Sequence, residues 1–198
     1  MTVPFILASS SPRRRDLLQM AGYAPQIVPA HVDESPVDGE SPDTYVARLA
    51  AAKAGTSARP GAVTLGSDTT VVCGGTVYGK PGTPKRAAAM LRALAGKNHQ
   101  VLSGVAVTDP DGGTALNVVT TQVEFTDLPE QVITAYAATA EPLDKAGSYG
   151  IQGYGATFVR AIHGSYSNVV GLPLAETISM LTAAGLPRPI PIAEGLVR

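Results

Sequence analysis

Apolar residues form two kinds of pattern along this chain. Short runs rich in β-branched residues predict strands at 5–8, 24–29, 100–108, 116–125 and 156–162, with two more inside 63–78. Apolar residues repeated on one helical face predict helices at 12–21, from Pro42, from Pro84 to Gly96, at 129–138 and at 173–184. Because strands and helices interleave, with hairpin turns at 73–76 and 109–113, we expect a mixed α/β fold rather than an all-parallel sheet.

The segment 7–15, LASSSPRRR, conflicts with the electrostatics of a helix start. Ser11 and Pro12 suit the first positions of a helix, but three arginines follow at 13–15. The positive end of the helix dipole disfavours cations by about 0.3–1 kcal/mol each, so removing one arginine should cost little stability. The arginines therefore predict a bound anion, with serine hydroxyls and free amides completing a phosphate cradle; a solvated basic patch is the alternative.

Composition narrows the possible function classes. The chain has 198 residues with a net charge of −1, 44% hydrophobic residues and 5% aromatic residues. The near-neutral charge and scarce aromatics argue against binding to nucleic acid or to an anionic membrane. Cys73 is the only cysteine, which excludes an intrachain disulfide and a multi-cysteine zinc site. Since neither a signal peptide nor a membrane-spanning stretch is recognisable, we expect a cytoplasmic enzyme.

Two polar residues stand out in and after the apolar run 65–72. Asp68 interrupts that run, and a buried carboxylate without a partner is costly. Asp68 is therefore expected in a cleft, where it could hold magnesium or polarise an attacking water; an aspartate that caps a turn is the alternative. Lys80, between Gly79 and Pro81, could direct its ammonium at a phosphate, although most loop lysines are only solvated.

The segment 147–155 is rich in glycine and carries Gln152 among polar neighbours. Glycines allow a backbone to approach a ligand closely, and a glutamine amide offers the donor and the acceptor that suit the edge of a nucleobase. The alternative is a glycine-rich connection with no ligand. The segment matches neither the Walker pattern nor the dinucleotide fingerprint.

Together these stretches resemble the Maf family of nucleoside triphosphate pyrophosphatases. The motifs occur in the family's order over about residues 5–177: LASSSPRRR, YVARLAAAKA, LGSDTTV, GKP, DKAGSYGIQG and GSYSNVVGLPLAET. The resemblance implies one domain over 1–198, with two lobes, a mixed sheet, a central cleft and a likeness to inosine triphosphate pyrophosphatases. It also implies hydrolysis between the α and β phosphates with Mg²⁺ or Mn²⁺, in a homodimer.

Position by position, the resemblance makes Asp68 the catalytic proton acceptor and places Glu34 with it at the metal. The substrate-binding residues fall into two groups. Those tied to substrate choice are Arg13, Thr69 and Gln152. Those that contact phosphates or are otherwise essential are Ser9, Arg14, Lys53 and Lys80. The loop sequence 149–152, Tyr-Gly-Ile-Gln, is similar to that of the branch acting on dTTP and UTP.

Two other function classes compete with an enzyme. A non-catalytic nucleotide-binding regulator of cell division would keep the arginines but would not need Asp68. A nucleic-acid-binding module could use the same basic loop, but its expected charge and aromatic content are missing. Release of diphosphate from a panel of nucleoside triphosphates separates an enzyme from both.

Overall fold

The computed structural model of the chain describes residues 3–189. Within that range the strands are β1 (Phe5–Leu7), β2 (Gln26–Ile27), β3 (Val63–Cys73), β4 (Thr76–Tyr78), β5 (Asn98–Thr108), β6 (Thr114–Phe125) and β7 (Val159–His163). The α-helices there are α1 (Pro12–Met20), α2 (Pro42–Ser57), α3 (Pro84–Leu94), α4 (Glu130–Ala137), α5 (Tyr166–Val170) and α6 (Leu174–Ala183). Two short 3₁₀ helices cover Ala146–Ser148 and Tyr154–Phe158.

These strands form one mixed sheet in the order β2-β1-β3-β5-β6-β7, with β4 paired to β3. The pairs that β1 makes with β2 and β3 are parallel, whereas β3–β4, β3–β5, β5–β6 and β6–β7 are antiparallel. The predicted mixed α/β class and both predicted hairpins are therefore confirmed.

Strand β3 has a gap in its pairing that positions the site. On the edge opposite β5, its residues Val63–Leu65 pair with β1 and its residues Val71–Cys73 pair with β4. Residues 66–70 have no strand partner on that edge among the described residues. Successive side chains of a strand point to opposite faces, so Asp68 and Thr69 lie on different faces of the sheet. Because no strand covers this edge of β3 among the described residues, both side chains can still reach the same opening.

Helix α2 packs unusually close to the sheet because glycines lie beneath it. A Cβ atom at Gly66 would collide with the backbone of Ala50 and Ala54, and one at Gly104 would collide with that of Val46. Gly104 is the partner of Asp68 in the β3–β5 register. The close approach brings side chains of α2 within reach of Asp68.

The other face of β3 and β5 is apolar at both ends and polar in the middle. Leu65 lies in a buried cluster with residues of α1 and α6, and Val71 lies in a second cluster with residues of α3 and α4. Between them Thr69 pairs with Ser103, and their hydroxyl oxygens are 2.8 Å apart. The core is thus divided at the level of the pairing gap. The expectation of one two-lobed domain over 1–198 stays a prediction.

One predicted strand was wrong over its first residues, one predicted helix start was confirmed, and one helix was not predicted. The strand predicted at 156–162 begins only at Val159, because the 3₁₀ helix Tyr154–Phe158 precedes it and the first two amides of that helix bond to a carboxylate. Ser11 is the N-cap residue of α1 and Pro12 its first residue, as predicted, although the Ser11 side chain makes no capping hydrogen bond. Helix α5 was not predicted; the Ser165 side chain caps it by accepting from the Asn168 amide.

The predicted surface course of the tail, 187–198, lies outside the described residues from position 190 onwards. Within 3–189, no helix has both the length and the apolar character required to cross a bilayer.

Candidate functional site

The pairing gap of β3 opens into a cleft of about 630 Å³. Eight of the residues singled out from the sequence line it: Arg13, Arg14, Glu34, Lys53, Asp68, Thr69, Lys80 and Gln152. Ser9 lines an adjoining pocket that shares Arg13, Glu34 and Lys80 with the cleft. The fold therefore brings all nine predicted positions together, although they come from segments as distant as 9 and 152.

Lys53 is the centre of the cleft's charge arrangement. Its Nζ atom lies 2.7 Å from Oδ1 of Asp68 and 2.6 Å from Oε1 of Glu34. The side chains of Lys53 and Asp68 are only 10% and 12% exposed, whereas that of Glu34 is 54% exposed. Burial raises the pKa of Glu34, but the hydrogen bond and charge of Lys53 outweigh it and leave that pKa below its ordinary value.

Helix α2 also holds the loop that carries Glu34. The Tyr45 hydroxyl donates to the Glu34 carbonyl oxygen at 2.9 Å, and Nη2 of Arg48 donates to the Ser35 carbonyl oxygen at 3.1 Å. Arg48 is itself held by a two-pronged ion pair with Glu40, with both N–O distances 2.7 Å. Tyr45 was not singled out from the sequence; its one signal was its place in the motif that contains Lys53.

Arg14 is buried and bonded to three parts of the chain. Its guanidinium donates to the Gly171 carbonyl oxygen at 3.0 Å and to the hydroxyls of Ser9 and Thr69 at 3.2 Å each. Burial lowers the pKa of the guanidinium, and the charge of Asp68 opposes that shift. The helix dipole alone predicted little loss of stability on removal of this arginine; its burial and its three hydrogen bonds lead us to expect a larger loss.

Arg13 and Arg15 differ from Arg14 in their surroundings. Nη1 of Arg13 donates to Oδ2 of Asp144 at 2.9 Å, while Arg15 bonds its neighbour Asp16 outside the cleft. Burial disfavours the charged form of Asp144, but hydrogen bonds from Lys145 and Arg13 lower its pKa to about 2. The predicted cradle of three arginines thus contains two.

Within the glycine-rich segment, Tyr149 lines the cleft and bonds to a buried histidine. Nε2 of His99 lies 2.9 Å from the Tyr149 hydroxyl, and both rings make T-shaped contacts with Phe125. Burial lowers the pKa of His99 to about 4, and its Nδ1 atom has no partner within the described residues. His99 is therefore neutral at pH 7 and supports Tyr149 through their hydrogen bond.

Two carboxylates are the groups of the cleft best suited to a divalent cation. Residues 3–189 contain no cluster of three or more His, Cys, Asp or Glu side chains placed to hold a metal. Glu34 and Asp68, however, already share one cation in the ammonium of Lys53. Magnesium is commonly held by one or two carboxylates together with substrate phosphates and water, so this pair fits a cation that binds with a triphosphate.

A family model and the named relatives of this chain point to the same protein family. The family model described as Maf-like protein matches residues 4–184. A protein of Anaeromyxobacter dehalogenans (strain 2CP-C) named dTTP/UTP pyrophosphatase is 50% identical over 192 residues, covering 96% of this chain and 98% of its own. One of the same name from Geobacillus sp. (strain WCH70) is 49% identical over 182 residues, covering 91% and 97%.

Among solved structures, a HAM1 protein from Coxiella burnetii matches 92% of this chain and 100% of its own length, with a TM-score of 0.51. The sequence identity is 14%, so the likeness concerns the fold alone. It agrees with the fold expected from the sequence motifs.

Proposed function

Because this chain belongs to the Maf-like protein family, we propose that it is a nucleoside triphosphate pyrophosphatase acting on dTTP and UTP, with modified pyrimidine triphosphates in the same substrate class. The products are the nucleoside monophosphate and diphosphate. The observation that carries the proposal is the buried Lys53–Asp68 pair, which faces a cleft also lined by Arg13, Arg14 and Lys80. The relatives that bear the name dTTP/UTP pyrophosphatase support the choice of nucleotide.

The proposed chemistry divides between charge neutralisation and proton transfer. Hydrolysis between the α and β phosphates requires stabilisation of negative charge as diphosphate leaves. Arg13, Arg14 and Lys80 line the cleft and supply positive charge to it. Oδ1 of Asp68 is bonded to Lys53, which leaves Oδ2 to accept the proton of the attacking water.

A divalent cation, Mg²⁺ or Mn²⁺, belongs to the proposal, with Glu34 and Asp68 as its protein ligands. When bound, such a cation neutralises phosphate charge and orients the triphosphate. In the protein itself, Lys53 holds the two carboxylates close to each other against their mutual repulsion. A non-catalytic regulator would have no need of this buried arrangement.

Assembly and location are further predictions. The family resemblance leads us to propose a cytoplasmic homodimer that binds neither nucleic acid nor membrane. Analytical ultracentrifugation of the purified chain measures whether it is a dimer, and cell fractionation measures whether it is cytoplasmic.

The deciding experiment is a product assay on purified protein with dTTP, UTP, CTP, ATP and GTP, with Mg²⁺ and again with a chelator. We expect equal amounts of monophosphate and diphosphate, fastest with dTTP and UTP, and loss of turnover with the chelator. Release of single phosphate groups, or preference for a purine, would contradict the proposal.

A further inference from the structure

One carboxylate organises the glycine-rich segment beside the cleft. Oε1 of Glu141 accepts from the Tyr136 hydroxyl at 2.9 Å and from the Gly155 amide at 3.1 Å. Oε2 accepts from the Tyr154 amide, also at 3.1 Å. Both oxygens are therefore used to hold the end of the segment that follows Gln152.

The glycines of the segment fit around this carboxylate. A Cβ atom at Gly153 would lie 2.5 Å from Oε1 of Glu141 and 2.6 Å from Oε2, and one at Gly150 would lie 2.9 Å from Oε1. The Gly150 amide donates to the Tyr136 hydroxyl at 3.1 Å, so Tyr136 extends the same network. These glycines thus leave room for a side chain of the protein, and the close approach of this segment to a ligand stays a prediction.

Gln152 lies between Gly150 and Gly155, whose amides are both held by hydrogen bonds of this network. The hydrogen bonds fix the segment before it at Gly150 and after it at Tyr154 and Gly155. Gln152 and Glu141 both line the cleft. The two carboxylate oxygens of Glu141, however, accept hydrogen bonds from amides of the glycine-rich segment. Amide positioning of this kind matters for base choice, because a misplaced donor or acceptor leaves the partner group unpaired.

We infer that Glu141 is a positioning residue for base selection, which it exerts by holding the segment that carries Gln152. The inference rests on the proposed action on pyrimidine triphosphates. Burial raises the pKa of Glu141, but the Gly155 amide and the Tyr136 hydroxyl outweigh it and lower that pKa overall. The group is accordingly an anion at neutral pH, the form that accepts hydrogen bonds most strongly.

The test compares Glu141→Gln, Glu141→Ala and the native chain by kcat/KM for dTTP, UTP, CTP and GTP. We expect the preference for dTTP over CTP to fall by about tenfold in Glu141→Ala and by less in Glu141→Gln, whose amide oxygen still accepts. Glu130→Gln is the matched control, since Glu130 is an exposed carboxylate of α4 that bonds Arg92. It should leave the ratio unchanged.

Hydrogen exchange gives a readout independent of turnover. The amides of Tyr154 and Gly155 should exchange faster in Glu141→Ala, while those of the central strands β3 and β5 should not change. If Glu141→Ala does not fold, Glu141→Gln carries the same test. Faster exchange with an unaltered nucleotide ratio would reduce Glu141 to a structural role and overturn the inference.

A double variant separates indirect from direct action. If Glu141 acts through Gln152, adding Glu141→Gln to Gln152→Ala should lower the dTTP preference no further. Additive losses would mean that Glu141 reads the base by itself and would overturn the positioning role. A native chain without any preference for dTTP or UTP would instead contradict the proposed substrate, and the inference with it.

Discussion

Nζ of Lys53 lies 2.7 Å from Oδ1 of Asp68, and this contact joins helix α2 to strand β3 at the pairing gap of the sheet. Both side chains are buried. The contact depends on glycines: Gly66 and Gly104 let α2 approach closely enough for a lysine side chain to reach the strand. The same pair contributes to stability and to the proposed chemistry, and substitutions can separate the two.

Asp68→Asn tests the chemistry with the shape of the side chain preserved. The amide cannot accept the proton of the attacking water, so we expect diphosphate release to fall by at least about a hundredfold. Lys53 keeps its bond to Glu34, and the fold should persist. Circular dichroism verifies folding and a diphosphate assay measures turnover. Near-normal turnover in the folded variant would contradict the assignment.

Lys53→Met tests the buried ion pair. Removing the ammonium leaves Asp68 buried without its cation, which typically costs about 3–5 kcal/mol of unfolding free energy. Adding Asp68→Asn should restore part of that loss, because the uncompensated charge is then removed. Urea unfolding measures both, with Lys85→Met, at an exposed position, as the control. If the double variant loses as much unfolding free energy as the two single variants together, Lys53 and Asp68 are not coupled.

The three arginines of α1 should differ in their effects. Arg14→Ala removes a buried side chain together with its three hydrogen bonds, and we expect a loss of about 2 kcal/mol of unfolding free energy together with weaker turnover. Arg13→Ala removes a partly exposed ion pair, so it should cost less than about 1 kcal/mol while still weakening turnover. Arg15→Ala, outside the cleft, should change neither. Equal stability losses for Arg13→Ala and Arg14→Ala would contradict this distinction.

Gln152→Ala tests base choice at the residue proposed to read it. A glutamine amide can pair with the alternating acceptor and donor of a pyrimidine imide edge, which CTP lacks. We expect the native chain to prefer dTTP and UTP over CTP, ATP and GTP, and the variant to narrow that gap. The measurement is kcat/KM for the five nucleotides in both proteins. Unchanged ratios would limit Gln152 to shaping the cleft.

His99 should make stability depend on pH. Burial lowers the pKa of His99 from 6.5 to about 4 in the folded chain. Between these values the unfolded chain binds a proton that the folded chain does not, so this contribution is complete above pH 6.5 and is lost as pH falls toward 4. The loss over the whole window amounts to about 3 kcal/mol.

Urea unfolding at several pH values measures this effect. His99→Gln should flatten the pH dependence between 4 and 6.5, whereas His163→Gln, at an exposed position, should retain it. Parallel curves for the native chain and His99→Gln would show that another group is responsible.

Local elements were predictable where short-range patterns specify them. Helix α2 begins at Pro42 as predicted, and the Ser41 side chain accepts from the Thr44 amide, a contact set by neighbours in sequence. The strand predicted from residue 156 begins only at Val159, because a 3₁₀ helix precedes it whose amides at Tyr154 and Gly155 bond to Glu141, more than ten residues away. Local periodicity carries no information about such a distant acceptor.

The sequence by itself determined the candidates for the site, because polar groups that break the helix and strand patterns, Asp68 and the arginines at 13–15, can be recognised in place. Only the tertiary structure decided how they are used. Helical geometry turns neighbouring arginines about 100° apart, but the packing of α1 decided that Arg14 is buried and Arg15 faces away. The ammonium shared by Asp68 and Glu34 likewise depends on how α2 sits over the gap in β3, a relationship between segments that side-chain periodicity does not encode.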